Sequence, residues 1–251
     1  MSLSIALLSD VHGNVLALEA VLADIQQRGI RRIVNLGDSL FGSGNANRCA
    51  NLLMKHCEIN IMGNCDRFVV KPDAAMQANP DVQRIRAELS EAQMVWLTAC
   101  PFDATIANEI YCCHATPQHD DVCLLENVTQ NGVFLADGKA IRQKLRRIKA
   151  PVVCVGHSHI PRAVQLPGGQ FIVNPGSVGW PAYDHDQPYP HVMQTGSPHA
   201  RYAVLRKLKS GWAVEHIALP YDWRAAADAA RQLKRPDRAH WMETGRAKLR
   251  P

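Results

Sequence analysis

Two hydrophobic periods alternate along the first hundred residues, and this alternation limits the fold more than any other feature of the chain. Three short apolar runs are typical of buried strands: "LSIALLS" (3–9), "RRIVNLG" (31–37) and "CEINIMG" (57–63). Apolar residues at helical spacing separate the first two runs and end before Gly29: Val15, Leu18, Leu22 and Ile25. This order predicts a parallel sheet with right-handed crossovers, whose strands all end at one edge.

The remaining elements are predicted from the same two periods. Further helices are expected over 45–56, 81–99 and 138–149. Strands dominate the second half, with hairpins predicted over 102–114, 162–174 and 200–219, the first of them turning at Ala107-Asn108. The segment 180–199 has four prolines, three histidines and no period, and is predicted to be an ordered functional loop or a flexible lid.

Length and composition indicate one domain. With 251 residues, of which 47% are apolar, the chain can bury one large core. We expect a single domain over 1–251, with a core of about 3–234 and a polar, basic and partly disordered tail over 235–251. The basic run "GKAIRQKLRRIK" is expected to be a solvated helix face.

Charge and cysteine content exclude some function classes. A net charge of +5 suits an anionic substrate but is too small for a dedicated nucleic-acid binder, so nucleic acid is not favoured as a partner. The eight cysteines have no C-x-x-C spacing and are expected to be free thiols. No basic leader and no apolar window of membrane length is seen, so we expect a cytoplasmic protein without a membrane partner.

Polar side chains with metal-ligand chemistry follow five of the apolar strands. They are Asp10 and His12, Asp38, Asn64, His114, and His157 with His159. Residues two apart on an extended chain project to the same side, so D-x-H and H-x-H each direct two ligands at one point. Two carboxylates, four imidazoles and an amide are too many for one tetrahedral ion but suit two cations that share a bridge. Asp38, which lies between the other ligands in sequence, is the natural bridge.

The charge of such a centre indicates the substrate. Two divalent ions bring four positive charges, of which Asp10, Asp38 and a hydroxide neutralise three. The cleft therefore keeps an excess positive charge, and a phosphate ester or anhydride is the obvious anion to fill it.

Five blocks of this sequence carry a family resemblance. "SDVHGN", "GD", "GN" followed by Asp66, "CCH" and "GHSH", in this order, resemble the calcineurin-like metallophosphoesterases. "GNCD" and "NPGSVG" are similar to the small bacterial branch that includes the YfcE-type phosphodiesterases. The likeness runs from about residue 5 to residue 219.

The resemblance implies a fold, a metal arrangement and an activity. The fold it implies is a four-layered α/β/β/α sandwich. It assigns Asp10, His12, Asp38 and His159 to one metal and Asp38, Asn64, His114 and His157 to the other. The two divalent ions would be Mn, Fe, Zn, Co or Ni, and a bridging hydroxide would hydrolyse a phosphodiester or phosphoanhydride bond of a phosphorylated small molecule or nucleotide.

One residue departs from the family pattern. Many relatives carry histidine at the position of Cys65, where with the following acid, here Asp66, it can protonate the leaving oxygen. Filler beside Asn64, thiolate contact with metal and a catalytic role all remain open for Cys65. Because this histidine is absent as a proton donor, we expect a preference for leaving groups that are weak bases.

Substrate contacts are predicted from the same motifs. Arg67 and backbone N–H groups near "GSVG" are candidates to hold phosphate oxygens, and Asn14 and Ser177 are predicted to bind substrate. An ordinary surface ion pair is an equal alternative for Arg67. His185 and His191 are weaker candidates for substrate contact.

Three rival functions remain open. Two are enzymatic: a nucleoside-polyphosphate hydrolase or phosphomonoesterase, and a metal-dependent nuclease. The third is a protein-binding scaffold on the same fold, against which the intact ligand set argues. The physiological substrate and the oligomeric state are not predicted.

Overall fold

Two five-stranded sheets form the centre of the protein. The computed structural model describes residues 3–249. The strands are β1 (Ser4–Leu8), β2 (Arg32–Asn35), β3 (Ile59–Asn60), β4 (Asp103–Ile106), β5 (Ile110–Cys113), β6 (Glu126–Thr129), β7 (Gly132–Leu135), β8 (Val152–Cys154), β9 (Arg162–Gln165), β10 (Phe171–Asn174), β11 (Ala182–His185), β12 (His191–Gln194), β13 (Ala200–Leu208) and β14 (Gly211–Leu219). The helices are α1 (Val15–Gln27), α2 (Ala46–His56), α3 (Asn64–Val70), α4 (Ala74–Gln77), α5 (Pro80–Glu88), α6 (Glu91–Ala99), α7 (Gly138–Leu145), α8 (Trp223–Gln232) and α9 (Pro236–Thr244).

Both sheets have a parallel centre. The first sheet has the order β14-β13-β1-β2-β3, in which β1, β2 and β3 run parallel, as the alternation predicted. The second has the order β4-β5-β8-β10-β9, in which β5, β8 and β10 run parallel and both edge strands are antiparallel. The carboxyl ends of these parallel strands supply the loops of the candidate site.

Three apolar clusters define four layers. Side chains such as Leu7 of the first sheet and Val173 of the second pack together between the sheets. The other face of the first sheet packs on a helical layer with α1 and α2, whose apolar cluster also includes α5 and α6. The other face of the second sheet packs on α7. The observed order is helix, sheet, sheet, helix, which confirms the predicted α/β/β/α sandwich.

Several sequence-based element predictions are confirmed. All three predicted hairpins form, and Ala107 and Asn108 both have positive φ at the first turn. The eight cysteines are all free thiols. No helix within residues 3–249 is long and apolar enough to cross a membrane.

Other predictions are wrong, for identifiable reasons. The helix expected over 81–99 is two helices, because Ser90 starts a new helix with a capping box to Gln93. The segment 180–199 is no loop, since it contains the short hairpin β11–β12. The supposedly disordered tail contains α9, whose Trp241 and Met242 are buried against α8 and Trp180.

Some elements were not predicted at all. They are the hairpin β6–β7, the short helices α3 and α4, and helix α8. The predicted helix over 138–149 ends early, at Leu145, where Arg146 takes a positive φ.

Candidate metal centre

The seven predicted metal ligands all follow parallel strands at the facing edges of the two sheets. Asp10 and His12 follow β1, Asp38 follows β2, and Asn64 begins α3 after β3. From the second sheet, His114 follows β5, and His157 and His159 follow β8. Hydrogen bonds between the loops hold them together: Asp10 N–H donates to Gly37 O at 2.9 Å and Gly156 N–H donates to His114 O at 2.7 Å.

Left-handed turns, and not extended chain, direct the ligands inward. Five ligands have positive φ: Asp10 (56°), His12 (51°), Asp38 (56°), His157 (67°) and His159 (60°). The assumption that D-x-H and H-x-H lie on extended chain is therefore wrong, because both motifs lie in turns after their strands end. Non-glycine residues with this backbone conformation are uncommon and concentrate at functional sites.

A first ligand group consists of Asp10, His12 and His159. The Nδ1 atoms of His12 and His159 lie 2.8 Å from the carbonyl oxygens of Phe41 and Trp180 respectively. A carbonyl only accepts hydrogen bonds, so each Nδ1 carries a proton and each Nε2 points into the cluster. These two Nε2 atoms lie 3.1 Å apart, and Oδ1 of Asp10 lies 3.4 Å from His159 Nε2.

A second group consists of Asn64, His114 and His157. Asn64 Oδ1 lies 3.1 Å from both His114 Nε2 and His157 Nδ1. His114 Nδ1 lies 2.8 Å from Leu36 O, which orients its Nε2 toward the cluster.

Asp38 lies between the two groups. Its Oδ1 is 3.5 Å from His114 Nε2, and its Oδ2 is 3.8 Å from His12 Nε2. The backbone N–H of Cys65 donates to Oδ1 at 2.9 Å. Asp38 is thus close to both ligand groups, and its bridging role stays a prediction.

The donor chemistry of the cluster fits divalent cations. Asp10 Oδ1 is buried and has no hydrogen-bond partner, although Oδ2 accepts from His157 N–H at 3.1 Å. Buried acceptors that face one another without donors are costly unless a cation lies between them. Three sets of ligand atoms in the described residues lie within 4.8 Å of one another: Asp10, His12 and His159; Asp10, Asp38 and His114; His12, Asp38 and Cys65.

The electrostatics of the cluster are dominated by its two carboxylates. Burial opposes the charge on Asp38, but His114 and His12 overcome it and hold its pKa below the usual range. Burial likewise lowers the pKa of His114, yet Asp38 and Asp10 raise it to about 10. Burial lowers the pKa of His12 and of His157 to about 4, so both are neutral near pH 7. A site that draws a proton onto His114 is a site that attracts cations.

The cluster is open on one side. Asp10, His12, Asp38, His114 and His159 are buried, whereas Asn64, Cys65 and His157 are half-buried. The cluster is therefore most accessible to solvent on the side of the second ligand group.

Asp66 is placed as a structural carboxylate. It is fully buried and accepts hydrogen bonds from the backbone N–H groups of Ser39 (2.9 Å), Leu40 (3.3 Å) and Gly63 (3.2 Å). Burial and the nearby Asp38 raise its pKa to about 7. These contacts tie the loop of Asp38 to the loop of Asn64, so the predicted catalytic role of Asp66 has no support in its contacts.

Cys65 and Arg67 have different surroundings. The Cys65 thiol lies within the ligand-atom set of His12 and Asp38, and burial together with Asp38 raises its pKa well above the usual range. Arg67 forms an ion pair with Asp120 at 2.6 Å and 3.0 Å, the surface pairing considered as its alternative. Catalytic roles for both stay predictions.

The two predicted substrate-binding residues have structural contacts. Asn14 caps α1 by accepting from Ala17 N–H at 3.2 Å, and its amide donates to Gly179 O and to the Tyr221 hydroxyl, both at 3.0 Å. Ser177 donates to Asp10 O at 2.9 Å and accepts from Trp180 N–H at 2.8 Å. Both are buried within the scaffold of the site, and substrate contact stays a prediction for each.

Sequence reasoning missed the residues that orient the imidazoles. Trp180 accepts from His159 and also stacks on His12, with ring centroids 3.7 Å apart and planes 8° apart. Tyr183 packs edge-on against His159 at 4.6 Å and donates to His157 O at 3.3 Å. Backbone carbonyls leave no residue signal, and the segment 180–199 stood out by its prolines and histidines and not by Trp180 or Tyr183.

The two histidines that were weaker candidates for substrate contact lie outside the ligand cluster. His185 bonds Gln187 on the exposed part of β11–β12, and His191 lies 2.8 Å from Tyr189 O. Among the described residues, neither belongs to a set of close ligand atoms.

Comparison with known proteins gives one family and a common fold. The model of the calcineurin-like phosphoesterase superfamily domain matches residues 3–196. An uncharacterized protein of Methanocaldococcus jannaschii is 26% identical over 256 residues, which cover 93% of this chain and 94% of that protein.

Two solved structures share the fold. A metallophosphoesterase from Sphaerobacter thermophilus superposes with a TM-score of 0.73 at 21% identity, covering 96% of this chain and 100% of that one. A hypothetical protein from Pyrococcus horikoshii OT3 gives a TM-score of 0.72 at 17% identity, covering 98% and 99% of the two chains.

Proposed function

The chain belongs to the calcineurin-like phosphoesterase superfamily, and on that premise we propose that it hydrolyses phosphodiester or phosphoanhydride bonds at a centre of two divalent ions. One observation carries the proposal. Metal-ligand atoms from both sheets converge in a buried cluster, above all the Nε2 atoms of His12 and His159, 3.1 Å apart, and the unpartnered Oδ1 of Asp10.

Each ligand group would hold one ion. Asp10, His12 and His159 would hold the first, and Asn64, His114 and His157 the second, with Asp38 shared. Divalent ions at such a centre neutralise phosphoryl oxygens and make water nucleophilic at neutral pH.

The residues of this chain prepare the site for that chemistry. The carbonyls of Phe41, Trp180 and Leu36 hold protons on the outer Nδ1 atoms, so the Nε2 atoms of all three imidazoles point into the cluster, and that of His114 would bind after it releases its own proton. The buried position of five ligands excludes water from all but the side of Asn64 and His157. A phosphoryl group that enters on that side meets the second ligand group first.

The residue beside the opening selects the leaving group. Cys65 lies there in place of an imidazole, and burial raises the pKa of its thiol. A thiol of raised pKa is a weak proton donor, so leaving groups that need no proton are favoured. This supports aryl phosphodiesters and phosphoanhydrides over alkyl phosphates, and it makes a nucleoside-polyphosphate hydrolase the second candidate.

A metal-dependent activity panel tests the proposal. Purified protein would be stripped with a chelator, assayed for bound metal, and reloaded separately with Mn, Fe, Zn, Co or Ni. Hydrolysis of bis(p-nitrophenyl) phosphate, p-nitrophenyl phosphate and a dinucleoside polyphosphate would then be compared.

Asp38→Asn serves as the matched variant, because it keeps the shape of the bridging side chain and removes its charge. We expect about two equivalents of metal and metal-restored hydrolysis in the wild type, and loss of both in the variant. Full activity after exhaustive chelation, or in Asp38→Asn, would rule out the proposed centre.

A further inference from the structure

Helix α9 places a buried arginine against the two residues that orient the first ligand group. The guanidinium of Arg238 lies over the Trp180 ring at 4.8 Å and over the Phe41 ring at 5.4 Å. Both contacts come from a segment outside the residues that the family model matches, 3–196.

Phe41 and Trp180 are not ordinary neighbours of the site. Their carbonyl oxygens each accept from a ligand imidazole, Phe41 from His12 and Trp180 from His159. The Trp180 ring also stacks on His12 at 3.7 Å. A shift of either residue would therefore turn an imidazole and move its Nε2 away from the cluster.

Arg238 also ties these two residues to the rest of the fold. It donates to Ser43 Oγ at 3.0 Å, two residues after Phe41, and to Asp81 Oδ2 at 2.7 Å, in the first turn of α5. Its neighbour on α9, Trp241, packs edge-on against Trp180 at 5.5 Å. One side chain thus connects the 41–43 loop, Trp180 and α5.

The burial of Arg238 needs an explanation of its own. The side chain is 2% exposed, and its Nε has no hydrogen-bond partner. Asp81, the carboxylate to which its guanidinium donates, is shared with Arg235. An apolar side chain would fill this space without the free-energy cost of burying a charge and an unpaired N–H group. Burial alone therefore does not account for an arginine here.

We propose that Arg238 is a positioning residue, which acts through Phe41 and Trp180 to fix the imidazole orientation of His12 and His159 and thereby sets the affinity of the first metal site. The planar guanidinium suits this role because it stacks on both rings while its N–H groups hold Ser43 and Asp81. The metal part of the inference rests on the proposed function, whereas the orientation part does not.

Three variants separate positioning from general stability. Arg238→Met keeps the length and packing of the side chain and removes its charge and donors. Arg235→Met is the matched control, because Arg235 shares Asp81 but has no contact with either ring among the described residues. Arg238→Lys keeps a charge near Asp81 without the planar group. If thermal unfolding shows that Arg238→Met is unfolded, Arg238→Lys is used in its place.

The first measurement is made on metal-free protein, by NMR of the imidazole nitrogens. We expect His12 and His159 to be fixed as Nδ1–H tautomers in the wild type and in Arg235→Met. In Arg238→Met their nitrogen shifts should move toward an average of the two tautomers, with a smaller change in Arg238→Lys. The His114 signals should stay constant, because Leu36 orients that ring. Unchanged His12 and His159 signals in Arg238→Met, or an equal change at His114, would overturn the proposal.

The second measurement is metal affinity, by competition with a chromophoric chelator. Arg238→Met is expected to weaken one of the two bound equivalents by about tenfold or more and to leave the other unchanged. Arg235→Met should bind both as the wild type does. Equal weakening of both equivalents, or none, would refute the positioning role. A wild type that binds no metal would instead refute the proposed function, and the NMR result would still decide on Arg238.

Discussion

At the scale of single residues, the site depends on close packing of left-handed loops. Asp10 and Asp38 both have φ near +56°, a conformation that costs free energy in any residue with a side chain. Hydrogen bonds such as His12 N–H to Asp38 O, at 2.9 Å, hold these turns in place. Small residues make the approach of the loops possible.

Gly63→Ala tests this packing. A Cβ at Gly63 would lie 2.1 Å from Asp38 Oδ1 and 2.3 Å from Asp38 N, although the φ of −88° itself suits alanine. We expect the loop of Asp38 to shift, bound metal to be lost, and activity to fall by about 100-fold or more. Gly168→Ala is the control, because its Cβ would meet nothing within 4 Å. Normal metal content in Gly63→Ala would contradict this account of the loop.

Cys65 offers a second test at this scale. If the thiol does not protonate the leaving group, Cys65→Ala should keep kcat on an aryl phosphodiester within about tenfold, since loss of a general acid costs about 10²–10⁴. Cys65→His should raise the rate more for alkyl than for aryl leaving groups, because only alkoxides need a proton. The ratio of the two rates cancels general damage to the site. A loss of about three decades in Cys65→Ala with both metals still bound would make the thiol catalytic.

His114 predicts how metal affinity depends on pH. In metal-free protein, Asp38 and Asp10 raise its pKa to about 10, so near pH 7 it carries a proton that an incoming ion must displace. His157, with a pKa lowered to about 4, has no proton to lose there. Binding at the second group should thus release about one proton, and affinity should rise about tenfold per pH unit below pH 10. Calorimetry in buffers of different ionisation enthalpy counts the proton, and no release would contradict the ligand role of His114.

At the scale of elements, capping decides where helices begin. The hydrophobic period predicts one helix over 81–99. In the structure, however, Ser90 Oγ accepts from Gln93 N–H at 3.3 Å and Gln93 Oε1 accepts from Ser90 N–H at 2.9 Å. The chain therefore turns between α5 and α6. Gln93 also donates to Asn47 O and Asn51 Oδ1, so the same capping box anchors α6 to α2.

Ser90→Ala tests the cap. The substitution removes the acceptor of the Gln93 N–H, and we expect the free energy of unfolding to fall by about 1 kcal/mol. Ser210→Ala, in the exposed turn before β14, should change it by less than about 0.5 kcal/mol. Chemical denaturation of both variants gives the comparison. Equal stability of the two would show that the α5–α6 boundary does not depend on this cap.

At the scale of the whole molecule, the ligand cluster joins the two sheets. Asp10, His12, Asp38 and Asn64 come from the first sheet, and the other three ligands come from the second. Ions held by both sets would bind the folded protein and not the unfolded chain. Metal binding is therefore coupled to the stability of the whole domain.

Thermal unfolding with and without metal tests this coupling. Free metal at about 100 times its dissociation constant adds about 2.7 kcal/mol per site to the free energy of unfolding, which shifts the Tm of a domain of this size upward by about 5 °C or more. Chelation should reverse the shift. Hydrogen exchange should slow on loading in the loops after β1 and after β8 together. Protection confined to one sheet would contradict ligation from both.

The sequence by itself determined part of the local structure and which candidate ligand residues lie together. Continuous apolar runs predicted β1 and β2 because both faces of these strands are buried, and helical spacing predicted α1 because it buries one face. The turn at Ala107-Asn108 followed from two adjacent residues. The ligands could be named because parallel strands bring their carboxyl ends to a shared edge, whatever the details of the loops.

Only the tertiary structure decided how those ligands are oriented and what supports them. The left-handed turns at His12 and His159, the structural contacts of Asn14, Ser177 and Asp66, and the burial of α9 all depend on contacts between distant parts of the chain. Arg238 and Asp81, 157 residues apart in sequence, form an ion pair at 2.7 Å. No local period encodes such a contact, because its free energy comes from burial that exists only once the sheets and helices have packed.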